Sequence, residues 1–568
     1  MDQKKMNKKS VLRTFLGPGL ILGAILFLFL ISRFFPFRID LTEEKRYSLH
    51  PATIEVLKSL EEPLEVEILL TGKLPGGMRR LQRSIEETLR TFNAYSSENI
   101  SFYYEDPLSL PEDIREDYVV SLTEYGINPT NLFVTEDGGQ KSRLIFPGVM
   151  VRSEEFETGT LLLRGEKGMS PDQILNQSIE NLEFELINAI RKLITKQKIS
   201  VGMILGHGEL GEEDGFGIVE ALVDDYEVYK IPMEQAKKVE DLDPFAVLIV
   251  AGPRDTYSEK EIYLLDQYLM NGGNLVFLLD AVAVNLDEAG GEGTIGFPFD
   301  TGLDQLLFKY GIRINKDLIQ DLNFGYHPVM AGDFGDQAQI VPLPWPFYLA
   351  AGRMAPHPIT KGLDQVMFRF ASSLDTVKAD GVKKTPLIFG SDLNRKLSAP
   401  VRVAFSDMSE APDMAQYGLK NLPLLYLLEG NFTSFFNNRF LPENIDPSKF
   451  QASGNEGRVV VAGTGNLFKS LFNMQNGEPL PLGEDPYANL TYANRLLLQN
   501  MVKYLIEPEG IIATRTKQFQ IRPLNKAKVK AEKVKWQVVN VVFPVLILGV
   551  LGMIWILLRK KRFSARSK

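Results

Sequence analysis

Gly206-His207-Gly208-Glu209 follows the apolar run ISVGMIL (199–205) and puts an imidazole and a carboxylate into one turn. A His beside a carboxylate can do general acid–base work. Two more charged groups close similar runs. Arg254 follows FAVLIVAG (245–252), and Asp280 ends NLVFLLD (274–280). Open α/β sheets bind ligands beyond the carboxyl ends of their strands, so His207, Glu209, Arg254 and Asp280 are candidates to line one crevice. On that reading the chain is a ligand binder, an anchored hydrolase or a carbohydrate-binding module. The competing reading is a tight turn whose His and Glu satisfy backbone groups. No Ser sits on a recognisable nucleophile elbow, so no catalytic residue is assigned.

Gly463-Thr464-Gly465-Asn466 follows another apolar run and resembles half of a phosphate-cradling loop. Position 468 is Phe, not the third glycine of a dinucleotide fingerprint, and no Gly-Lys-Ser/Thr of a P-loop occurs anywhere. The chain has no cysteine, which excludes disulfides, thiolate metal sites and a lipid-anchored Cys. Its four histidines, His50, His207, His327 and His357, are far apart. No metal site and no cofactor are expected. Pro342-Leu343-Pro344-Trp345-Pro346-Phe347-Tyr348 reads either as an exposed polyproline strip or as a buried aromatic loop.

The elements that must position these groups fall into two α/β domains. In the first, Ser48 is a candidate cap for a helix around Thr53, LEVEILL (64–70) reads as a strand, and 79–95 as a helix. ISFYYEDP (100–107) is a second strand, and 131–137 with 143–151 form a hairpin around Asp137-Gly138-Gly139. This order predicts a small thioredoxin-like α/β domain over 37–170. A helix over 175–195 carries Leu175, Ile179, Leu182, Leu186, Ile190 and Leu193 on one stripe and bridges the domains as segment 171–197. In 198–510, continuous apolar runs alternate with helices, one of them opened by the capping box Ser258-Glu261. The pattern predicts a larger doubly wound, flavodoxin/amidotransferase-like α/β domain with a parallel sheet covered on both faces. RVVVAGTG (458–465) reads as a late strand of that sheet. The Gly- and Pro-rich segments 285–300 and 327–360 read as insertions or long loops.

Two uncharged stretches bracket the body. Thr14–Ser32 lies in an expected transmembrane helix over 14–35, and Trp536–Leu558 in a second over 536–558, with Pro544 inside it. The 568 residues carry a net charge of −9. Setting aside eleven basic and one acidic group in the tails 1–13 and 559–568 leaves 52 Lys+Arg against 71 Asp+Glu, or −19, for residues 14–558. An acidic body argues against nucleic acid as a partner, and basic tails argue for a lipid bilayer. Two spans put both tails on one side. Short tails are easily held in the cytoplasm, and exporting their positive charge opposes the membrane potential. The expectation is an inner-membrane protein with cytoplasmic termini, a periplasmic body and a basic stalk over 511–535.

Several long blocks carry a family resemblance: RIDLTEEKRYSLHPAT (38–53), NQSIENLEFELINAIRKL (176–193), GHGEL (206–210), LDQYLMNGGNLVFLLDAV (265–282) and LLEGNFTSFFNNRF (427–440). Together they resemble the gliding-motility-associated auxiliary components of ABC transporters, from about residue 37 to the second span. The resemblance implies a non-enzymatic auxiliary subunit working with a separate ABC ATPase and a multi-span permease, and a link to gliding or its secretion machinery. The family is often labelled substrate-binding.

Overall fold

The computed structural model describes residues 48–516 and 526–564, apart from 137–138, 164–169, 196, 335–336, 410 and 475, together with Gly23 and Phe27. The chain divides into one unit up to Lys517 and a second from Gln518.

Helix α1 (Pro51–Lys58) is capped by His50, whose ring accepts the Ala52 N–H, rather than by Ser48. Pro51 at the first helical position explains the start, since its missing N–H costs nothing there. Strand β1 (Leu64–Ile68) runs into α2 (Gly76–Tyr95), which buries Leu81, Ile85, Leu89 and Phe92. Strand β2 (Ile100–Tyr104) and helix α3 (Glu112–Glu124) follow. The expected hairpin is split. Among the described residues β3 (Thr130–Glu136) pairs only with β4 (Gly139–Ile145), while β5 (Gly148–Arg152) and β6 (Glu157–Leu161) join β1 and β2. Pro147 is the physical reason: it lacks a ladder donor and ends the first run at Ile145. The resulting sheet has the order β2-β1-β5-β6, parallel at β1/β2 and antiparallel elsewhere.

Helix α4 (Pro171–Ile194) opens on a complete capping box between Ser170 and Gln173. It leads into β7 (Ile199–Leu205), α5 (Phe216–Leu222), β8 (Tyr226–Pro232), β9 (Val247–Ala251), α6 (Glu259–Met270) and β10 (Asn274–Leu278). Later contributions to the same sheet are β11 (Arg353–Met354), β12 (Val382–Phe389), β13 (Pro423–Thr433) and β14 (Ser453–Ala462). The eight strands lie in the order β11-β12-β13-β14-β10-β9-β7-β8. From β8 to β14 every pairing is parallel; from β14 to β11 every pairing is antiparallel. Alternate residues of the central strands enter two different cores. Val247, Ile249, Val276 and Val460 face α8 (Asn494–Ile506) and the apolar stripe of α4. Leu248, Val250, Phe277 and Val461 face α6 and α7 (Leu303–Tyr310). Burial on both faces is why these strands read as unbroken apolar runs.

Segment 327–360 is not a loop. Phe324–Phe334 and Gln337–Ala351 form a long antiparallel hairpin, and Val366–Arg369 pairs with its returning strand. Pro342, Pro344 and Pro346 occupy alternate positions, so their missing donors face one edge. Trp345 and Phe347 are fully buried and Tyr348 nearly so, which settles the strip as core rather than exposed polyproline. Segment 285–300 likewise contains a strand, Thr294–Pro298, between Val282–Ala283 and Val401–Val403.

In the second unit α9 (Lys526–Ser564) is one helix that includes Pro544. Its start absorbs the second half of the expected stalk, and its end most of the expected tail over 559–568. The run KAKVKAEKVK is built from good helix formers, so nothing stops the helix short of the span. Lys530–Leu558, 29 residues, is long and apolar enough to cross a membrane. The expected first span over 14–35 lies outside the described residues except for Gly23 and Phe27, which are helical. The tail 1–13 lies outside them entirely.

Candidate functional site

The structure brings the four candidate residues together at the carboxyl ends of β7, β9 and β10. Beyond Leu205 the chain turns sharply through Gly206 (φ +125°) and Gly208 (φ +72°). A Cβ on Gly208 would lie 2.9 Å from the Arg254 Cβ. The turn is pinned from the next strand: the N–H groups of Arg254 and Asp255 donate to the His207 carbonyl at 2.6 and 2.9 Å. Glu209 folds back under the turn. Its Oε2 accepts the His207 N–H at 2.7 Å, and its Oε1 accepts the Tyr257 hydroxyl. The His207 ring stacks on Tyr257 with centroids 3.8 Å apart and reaches Glu261 Oε2 through Nε2 at 3.2 Å. Glu261 is the capping-box residue of α6 and also takes the Ser258 N–H and hydroxyl at 2.9 and 2.6 Å. Burial opposes charge on Glu261, but the Ser258 bonds and His207 hold its carboxyl below the usual range.

Asp280 forms the second half of the cluster. Its Oδ1 accepts the Gly465 N–H at 2.8 Å, and its Oδ2 faces Arg254 Nη1 at 3.1 Å. Burial pushes the Asp280 carboxyl up, and Arg254 and the Gly465 amide counter only part of that. Gly465 belongs to the phosphate-loop-like Gly463–Asn466 turn. The amide that would meet a phosphate is therefore taken by a carboxylate of the chain itself. A Cβ on Gly465 would lie 2.6 Å from Gly252 Cα, so two backbones touch there.

His207, Glu209 and Asp280 are only 8, 8 and 7% exposed. Both oxygens of Glu209 and both of Asp280 face partners within the chain. Such a cluster ties together the loops that leave three adjacent strands; His207 Nδ1 and Asp280 Oδ2 are buried without a hydrogen bond, and the Arg254 side chain is 44% exposed. Among the described residues no group of three His, Asp or Glu could hold a metal ion.

Sequence reasoning missed a second place. A cleft of about 710 Å³ opens between the β6 end of the first sheet, α4 and α8. On its wall Lys503 Nζ lies 2.9 Å from Asp225 Oδ2 and 3.1 Å from Asn188 Oδ1. Lys192 holds the other Asp225 oxygen at 2.8 Å. The Arg515 guanidinium lies 3.8 Å over the Phe184 ring and 3.5 Å from Glu185. Burial works against charge on Asp225, but the two lysines hold its carboxyl down at about 2. Burial pulls Lys503 down to about 8 despite Asp225. The available signal was charge inside apolar stripes: Lys503 between Val502 and Leu505, and Glu185 beside Leu186.

Comparison with known proteins places these features. A family described as an ABC-type uncharacterized transport system matches residues 198–501, more than half of the chain. A domain of unknown function matches residues 43–152. An uncharacterized protein of Borreliella burgdorferi is 22% identical over 541 residues, covering 94% of each chain. The mouse intraflagellar transport protein 52 homolog is 34% identical over 82 residues, 14% of this chain and 16% of that one. Among solved structures, the N-terminal domain of that transport protein aligns with TM-score 0.30 and 13% identity, over 57% of this chain and all of its own. A ThuA-like protein of Bacteroides uniformis aligns with TM-score 0.28 and 12% identity, over 56% and 97%. The match over 198–501 covers the whole parallel part of the eight-stranded sheet and the His207–Asp280 cluster at its carboxyl edge, and on it the chain belongs to the ABC-type uncharacterized transport system family.

Proposed function

We propose that the chain is a non-enzymatic, membrane-anchored auxiliary subunit of an ABC transporter, acting with a separate ATPase and a separate multi-span permease. The observation that carries this is the combination of a transport-family body with Lys530–Leu558, whose most apolar window has no buried share at all. Leu548 is 69% exposed and Trp555 61%. Leaving one such side chain in water costs about 1.5–3 kcal/mol, so a run of them calls for a bilayer around it. As a helix, 29 residues reach about 44 Å, enough for the hydrocarbon core and both interfaces.

The finer reading keeps 14–35 as a first span, both termini in the cytoplasm and the body in the periplasm at the inner membrane. It treats 37–170 as a thioredoxin-like domain, supported by the order β2-β1-β5-β6. It treats 198–510 as a doubly wound flavodoxin/amidotransferase-like domain, with 171–197 bridging them. It places the chain in the gliding-motility branch, as the G component of such a transporter, on the sequence blocks quoted above. His207, Glu209, Arg254 and Asp280 are proposed to brace loops. The hydrolase or carbohydrate-binding alternative draws little support from His207, Glu209 and Asp280, which are buried and turned toward groups within the chain. The test is extraction and topology. Alkaline carbonate should leave the chain in the membrane pellet. Alkaline phosphatase inserted at Gly290 should be active, and a fluorescent protein after Lys568 should fluoresce. Release by carbonate, or an inactive phosphatase in a fusion that accumulates normally, contradicts the reading.

A further inference from the structure

Lys503 is an unusual lysine. It sits in α8 with its side chain only 11% exposed, and Asp225 beside it is equally covered. Its ammonium touches two groups from distant parts of the chain: the Asp225 carboxylate at 2.9 Å and the Asn188 carboxamide at 3.1 Å. The Phe184 ring closes the side toward α4, 5.7 Å from Nζ. An amine and a carboxamide in contact on the cleft wall, with a carboxylate beside the amine, are the groups that intramolecular transamidation needs. We propose that Lys503 and Asn188 join in a side-chain amide cross-link, with Asp225 relaying the proton.

The step balances without any added reagent. The Lys503 amine attacks Asn188 Cγ, and a new C–N bond forms. The proton lost from Nζ passes to Asp225 and from there to the carboxamide nitrogen. The old C–N bond breaks, and one ammonia leaves. Two features favour the step. Burial holds Lys503 at about 8, so about a tenth of it is free amine at pH 7, where an exposed lysine offers far less. Fixed contact between amine and amide replaces a bimolecular encounter with a unimolecular one. The Nζ contact lies on the carbonyl oxygen. Turning the carboxamide about its terminal torsion, which is soft in Asn, presents the Cγ face.

The residues are 315 apart in sequence. The cross-link would staple the bridging helix α4 to α8, the last long helix before the chain leaves the first unit. In a chain without cysteine this amide is the covalent tie that a disulfide provides elsewhere.

The test is peptide mapping of the full chain, extracted in detergent, denatured and digested. The proposal expects a branched peptide joining the Asn188 and Lys503 segments, lighter by one ammonia than the two linear peptides together, in most molecules. Lys503→Arg and Asn188→Ala should return linear peptides, and Asp225→Ala should return them in a chain that still unfolds cooperatively. Linear peptides carrying unmodified Asn188 and Lys503 from folded wild-type chain would overturn it. So would Asp at position 188 with Lys503 free. The wild-type result decides even where a variant fails to fold.

Discussion

Glu209 accepts the His207 N–H and the Tyr257 hydroxyl from inside a buried turn, so removing its carboxylate strands two donors. Each stranded buried donor costs about 1–3 kcal/mol. Glu209→Ala should therefore lower the melting temperature by several degrees, with function falling only as folded protein is lost. Glu209→Gln, which keeps an acceptor, should do less harm. Unchanged melting with lost function would instead mark a chemical role. His357 makes a second test. Burial, helped by Lys383, holds its ring down at about 4, against 6.5 in the unfolded chain. The unfolded state thus binds the extra proton between those values. Stability from this ring is complete above pH 6.5 and is lost as pH falls toward 4. His357→Asn keeps an acceptor for the Ile359 N–H and should flatten the pH dependence of urea unfolding in that window. A slope equal to wild type would contradict the assignment. The four candidate side chains were legible because each follows an apolar run that ends a strand. Their partners within the chain were not, since Tyr257, Glu261 and Gly465 lie 48, 54 and 185 residues from the groups they bind.

Elements buried on both sides announced themselves. The runs at 199–205, 245–252 and 274–280 became β7, β9 and β10, and RVVVA became the end of β14. Elements that mix proline with aromatics did not. The hairpin Phe324–Phe334/Gln337–Ala351 reads as a loop by composition, and only the alternate spacing of Pro342, Pro344 and Pro346 betrays a strand. The split at Pro147 was a similar failure: one apolar run served two sheets. Backbone contact between elements is equally silent in sequence. Gly252 and Gly465 meet where β9 and β14 end, and Gly465→Ala would drive a Cβ to 2.6 Å from backbone and 2.9 Å from Asp280. Neither neighbour is a flexible side-chain tip that can swing away freely. The substitution should cost about 1–3 kcal/mol as overpacking, read as a lower urea midpoint. A midpoint equal to wild type would show that the two loops separate without cost.

At the scale of the molecule, the acidic body, the exposed apolar helix and the family match converge on a membrane assembly. The apolar helix was legible because the 23 uncharged residues from Trp536 to Leu558 have few other uses in a folded chain. The cleft between the first sheet, α4 and α8 was not, because its walls come from many separate stretches between Tyr125 and Arg515 whose charges look like ordinary solvated faces. The proposed role is that of one subunit beside an ATPase and a permease. It is tested most directly by purifying the tagged full chain from membranes in mild detergent and identifying what comes with it by mass spectrometry. An ABC ATPase and a multi-span permease should come with the chain in fixed proportion. Recovery of stable monomers without either partner, from membranes in which both are expressed, would contradict it.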